Sequence, residues 1–294
     1  MSLPDGAAVR ACCAPSPWCD AAAVGMEASV KIRCLYRDFF LFLRVINLES
    51  DRWAAFKRYY FGKHRGFLSH IWYEYQNFTP GNIRERVAAL KREDYAQIEN
   101  ELKLFDIEEH AREVVQHCND LLHEPELCSV YLFIGFFSPD GFVTRYHGSY
   151  VICIGLERFR NFRDFDILLS HEYCHYILNK RGGECSESLA RRVVREGIAV
   201  YFSRLAYPGR ADERYLFLSK ERVYRLHDMY ESILENIRKG ELNAVQLFGP
   251  ESDTLPPRTG YYVGFRLVDD FMRKTGVSDI QFLIKDENQI LMDF

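Results

Sequence analysis

The chain has 294 residues and a formal net charge of −4, and it is 48% hydrophobic and 15% aromatic. That apolar content supports a sizeable core and excludes global disorder, while the near-neutral charge gives no support to a nucleic-acid partner, which calls for a basic face. No apolar run approaches the ~20 residues of a membrane span. The nine cysteines include no CxxC pair, so they read as reduced thiols of a cytoplasmic protein, with export as the alternative.

Taken in chain order, residues 1–25 are rich in Ala, Pro and Cys (Cys12, Cys13, Cys19) and lack the apolar core of a signal peptide. They read as a disordered extension, or as a start codon placed ahead of the true one at Met26. Residues 26–125 form a region that is helical where ordered. Within it, the apolar run 38–48 is a buried strand or a short helix, which periodicity alone does not decide. Aromatic residues recur through charged sequence over 51–75, as in one or two amphipathic helices broken near Gly62. A turn at Thr79-Pro80-Gly81-Asn82 is followed by helices over 83–91, 94–104 and 107–122. This region carries no recognisable chemistry.

The texture changes in the last segment, 126–294. Residues 129–136 and 150–155 are rich in β-branched and aromatic side chains and predict neighbouring strands of a small sheet. Ser138-Pro139-Asp140-Gly141 between them is a turn signal. Helical pattern resumes near Arg163 and dominates the rest.

The chemistry concentrates in His171-Glu172-Tyr173-Cys174-His175. Two histidines four apart on a helix share one face, a turn apart, and can meet one zinc ion. Glu172, beside that face, has the place of the general base of an HExxH site. Leu168, His171, His175 and Leu178 fall on one stripe, without Pro or Gly until Gly182-Gly183. A catalytic zinc needs a third protein ligand. Glu196 is the candidate, on a helix starting at Ser186 or Ser188, because it shares a face with Leu189, Val193 and Val200. A carboxylate in an apolar stripe requires compensation, from a metal or from a cation such as Arg192. Glu184, Cys185 and Glu187 are alternative ligands. A further alternative, a deformylase-like hydrolase, would use Cys153. His147 reads as a loop histidine.

HExxH with a helical Glu about twenty residues on resembles the gluzincin metallopeptidases, the thermolysin-like superfamily. The likeness is greatest to a bacterial family of predicted zinc-dependent proteases of unknown function. It rests on His171 to His175, on Glu196-Gly197-Ile198-Ala199 and on Gly260-Tyr261-Tyr262-Val263-Gly264-Phe265, the last similar to a GYxxG helix start. The resemblance implies an α+β, mostly helical fold: a zincin-like catalytic domain with a small β-sheet beside the HExxH helix. It implies one Zn2+ per chain held by His171, His175 and Glu196, and a peptide or protein substrate cleaved by metal-activated water with Glu172 as base. Tyr261, or failing it Tyr262, would stabilise the oxyanion, unless both simply pack the core. Arg258 and Arg266 either steady a substrate carboxylate or are solvated charges. An edge strand would hold the substrate backbone, and chain order points to Val151, Ile152, Cys153 and Ile154. Val200 stands where the thermolysin-type pattern has an Asp supporting the first histidine. The same scaffold could instead bind peptide without turnover.

Overall fold

The computed structural model describes residues 30–123, 127–136, 139–182, 188–249, 254–277, 279–285 and 287–293. The expected extension over 1–25, and Glu184, Cys185, Ser186 and Glu187, lie outside them.

The fold is α+β and mostly helical, around one four-stranded sheet. Its strands are β1 (Lys31–Cys34), β2 (Ser129–Phe133), β3 (Gly141–Tyr146) and β4 (Ser149–Gly155), in the order β1-β2-β4-β3. β1, β2 and β4 run parallel, and β3 is antiparallel to β4. The two expected strands are therefore neighbours, and two unexpected ones flank them. The β3–β4 hairpin turns on His147 and Gly148, at φ +50° and +80°. A type I′ two-residue hairpin turn has positive φ at both central residues, and this places His147 in a turn, as expected of a loop histidine.

One expectation is corrected by this topology. β4 is not an edge strand, because β2 takes one side of it and β3 the other. Val151, Ile152, Cys153 and Ile154 are buried and offer a peptide no free backbone. The margin of the sheet on that side is β3.

Among the helices, the run 38–48 resolves as α1 (Tyr36–Val45), because Tyr36, Phe39, Phe40 and Leu43 make one buried stripe at helical spacing. The aromatic stretch forms two helical pieces separated at Gly62, each ending in a π-helical segment (Lys57–Phe61 and His70–Tyr75). α2 (Ile107–Leu122) is capped by Asp106, whose carboxylate accepts from the Glu109 N–H at 3.1 Å. Buried side chains of these helices, the sheet and α3 (Phe165–Gly182) pack as one core. A second cluster joins α4 (Leu189–Ala206), α5 (Lys220–Arg238) and α6 (Thr259–Thr275). Among the described residues, no helix is long and apolar enough to cross a membrane.

Two devices fix α3 and α4. Asp166, in the first turn of α3, accepts two hydrogen bonds from the Arg210 guanidinium at 2.6 and 2.9 Å. Ser188 caps α4, its hydroxyl accepting from the Arg191 N–H at 3.2 Å. α4 and α6 then cross in backbone contact. A Cβ on Gly197 would lie 2.1 Å from the Gly264 carbonyl, and one on Gly264 would lie 2.0 Å from the Val193 oxygen. Only glycine permits this approach.

Candidate metal centre

α3 presents His171 and His175 one turn apart, and α4 brings Glu196 against them. His171 Nε2 lies 3.1 Å from His175 Nε2, and Glu196 Oε2 lies 3.3 and 3.2 Å from the two nitrogens. Ligands ~2.0–2.1 Å from a tetrahedral ion are separated by about 3.3 Å. The three donor atoms thus already have the spacing of one face of a zinc tetrahedron. The donor set of two imidazoles and a carboxylate also fits zinc, leaving a fourth position for water or substrate.

The cluster is buried: His171 is 3% exposed and Glu196 9%. Burial favours the neutral carboxyl of Glu196, but His175 and hydrogen bonds from both imidazoles overcome this and hold it well below the usual range. Burial, helped by neighbouring His175, lowers His171 to about 4. Burial also opposes charge on His175, yet the Glu196 carboxylate raises it. His171 Nδ1 is buried without a hydrogen-bond partner among the described residues. Position 200, where an acceptor would be expected, is the buried Val200.

Glu172 is 6% exposed. Burial above all, with Glu196 and Asp140 adding and His175 opposing, pushes its carboxyl up to about 7. Gly141 at the start of β3 makes room for it, since a Cβ there would stand 2.7 Å from Glu172 Cγ.

His171, His175, Glu196 and Glu172 line a cleft of about 670 Å³. Its β3 wall is Gly141, Phe142, Val143 and Thr144; Tyr75 and Tyr261 contribute rings, and Asn179, Arg192 and Arg195 line it with the ligand helices. Tyr261 stacks on His171, with ring centroids 5.8 Å apart and planes at 22°. Burial pushes its phenol well above the ordinary value, so it stays protonated at neutral pH.

Tyr262 is not brought to the cleft. It packs edge-on against Tyr230 and accepts a hydrogen bond from Arg266 at 3.4 Å. Arg266 is thereby accounted for, and Arg258 pairs with Asp140 at 3.1 Å. Arg192 is not paired with Glu196; its guanidinium lies 4.1 Å over the Phe248 ring. Cys153 lies in the core and outside the ligand cluster.

The sequence reading does not place Tyr75, the β3 wall from Gly141 to Thr144, Asn179 or Arg195 at the site. Asn179 was within reach, being four residues past His175 on the same face. Arg195 is buried because Glu287 accepts from its Nε at 2.7 Å. That partner is distant in sequence and left no local signal.

A mostly helical fold holding a buried two-histidine, one-glutamate cluster that fits zinc defines a class of metal-site protein. The chain belongs to the family described as "Predicted Zn-dependent protease", DUF2268, whose model matches residues 141–292, just over half its length. No curated protein matches the chain, and no solved structure does.

Proposed function

We propose that the chain is a gluzincin-type zinc peptidase. The observation that carries this reading is the convergence of His171, His175 and Glu196 to 3.1–3.3 Å, with the buried Glu172 beside them in an open cleft. These three residues would hold Zn2+, which when bound supplies Lewis acidity toward a water and a carbonyl oxygen. Glu172 accepts a proton from the water as its oxygen bonds to the carbonyl carbon, and then returns that proton to the nitrogen as the C–N bond of the tetrahedral adduct breaks. Tyr261 donates its hydroxyl proton in a hydrogen bond to the substrate oxygen as charge grows there. The substrate backbone pairs with the margin of β3, a recognised mode of peptide binding.

Metal content after purification without added metal tests the ligand set, on wild type and Glu196→Ala side by side. About one zinc per chain, lost in the variant, is expected. Peptide digestion by wild type and by Glu172→Gln tests the chemistry. The variant should keep its zinc and lose hydrolysis; wild type that takes up no zinc even when supplied would end the reading.

A further inference from the structure

The charges of the cleft can be matched one by one. Glu196 faces the two histidines. Arg195 donates to Glu287, a carboxylate it shares with Arg191. Glu172 is the proposed base. Arg192 is left: it is exposed, it lines the cleft, and it makes no ion pair among the described residues.

Arg192 is also held in place. Its guanidinium is stacked 4.1 Å over Phe248, and Phe248 packs edge-on to Tyr261 at 6.0 Å. Gly260 makes that packing possible, because a Cβ there would sit 2.4 Å from the Phe248 ring. A continuous aromatic wall therefore runs from His171 through Tyr261 and Phe248 to Arg192. A planar guanidinium fixed by stacking keeps its fork of N–H donors free, the geometry that recognises carboxylates in two-point fashion. Beyond it, Arg192 lines a second cavity of about 470 Å³ with Leu189 and Leu242, so an acidic group has room on either side.

We propose that Arg192 recognises a substrate carboxylate, either a free C-terminus or an Asp or Glu side chain. The choice of a peptide as the carboxylate's carrier rests on the peptidase reading. Arg192 precedes Glu196 by one helical turn, about 5–6 Å between Cβ atoms. An extended peptide advances about 3.3 Å per residue, so with the reach of the arginine side chain the carboxylate lies within a few residues of the cleaved bond.

Fluorescently labelled hexapeptides in matched pairs test this on the full zinc-loaded chain. One pair ends in a free carboxylate or a carboxamide. The other pairs are amidated and carry Glu or Gln at successive internal positions. Binding is read by fluorescence anisotropy in Glu172→Gln, where turnover does not interfere, with and without Arg192→Gln; hydrolysis is read separately in the chain with Glu172 intact. Tighter binding of the carboxylate member by about tenfold to a hundredfold is expected. It should disappear in Arg192→Gln, survive in part in Arg192→Lys and shrink with added salt. The pair that shows it identifies the source as chain end or side chain. Equal binding of both members, or a preference that survives Arg192→Gln, overturns the proposal. Hydrolysis without any carboxylate preference removes Arg192 and leaves the peptidase. An Arg192-dependent preference without hydrolysis of any peptide keeps Arg192 as the carboxylate contact and removes the peptidase.

Discussion

Gly141 shows how a residue without chemistry can set the position of one that has it. A methyl group there would approach Glu172 Cγ at 2.7 Å and Oε1 at 2.8 Å, and the side chain, being flexible, would swing away at little cost in stability. Gly141→Ala is therefore expected to keep its zinc and change folding stability by less than about 1 kcal/mol. Its kcat should fall by about 10²-fold, because the proposed base is displaced rather than removed. Metal analysis, thermal melting and steady-state kinetics on one preparation check all three. Tyr261→Phe probes the opposite wall. Losing one donor to the developing oxyanion should lower kcat by about 10²–10³-fold with KM little changed; a kcat within threefold of wild type would reduce Tyr261 to a packing ring. At this scale the sequence was informative where spacing carries geometry. His171 and His175 are a turn apart in any helix, and a carboxylate among Val193 and Val200 needs a partner. It could not separate Tyr261 from Tyr262, since adjacent helical residues point about 100° apart and either can face the site until the helix is docked.

The docking of elements makes that choice. α6 meets α4 at Gly264 and Gly197, and Tyr261, one turn before Gly264, is thereby carried over His171. The glycines of the two short motifs are thus packing residues that aim the proposed oxyanion donor. Gly264→Ala would press a methyl group to 2.0 Å from the Val193 carbonyl, against backbone that cannot rotate aside. A loss of about 3 kcal/mol is expected, the upper end for overpacking, with Tm lower by roughly 6–12 °C. Tyr261 should also withdraw from the cleft, so kcat falls even well below the new Tm. A variant with wild-type Tm would mean that the helices do not cross this closely. The strands were the least legible elements. β1 is four residues, cationic at every other position, too short for a period to stand out. β3 begins at the glycine of a turn signal and ends at a His147-Gly148 turn that lacks the usual Asn-Gly or Asp-Gly. The parallel pairing of β2 with β4, and the burial of β4 between two neighbours, depend on contacts that no local pattern encodes.

At the scale of the whole molecule, the metal centre and the N-terminal helices share one core although the family match begins only at Gly141. β1 pairs with β2. Buried hydrogen bonds cross from the N-terminal region to the loop that follows β2: the Tyr60 hydroxyl donates to the Ile134 carbonyl at 2.8 Å, and the Trp72 indole N–H to the Gly135 carbonyl at 3.1 Å. Tyr173, between His171 and His175, donates to Asn119 of α2. Tyr75, at the end of a π-helical segment, stacks on Phe142 of β3 at 4.5 Å and lines the cleft. A boundary near residue 125 marks a change in composition but would cut through these contacts. A fragment of residues 126–294 would expose Phe133, Phe136 and the β2 margin that β1 covers, a large apolar surface beside an open strand edge. It is expected to lack a cooperative melt and to aggregate on size-exclusion chromatography, whereas residues 30–294 should melt in one transition and bind zinc. Supplying residues 30–123 in trans should restore some soluble, zinc-binding complex if the missing surface is the cause. A monomeric 126–294 fragment that melts cooperatively and holds one zinc would instead make the helical region an accessory, and Tyr75 a neighbour of the cleft that the site does not need.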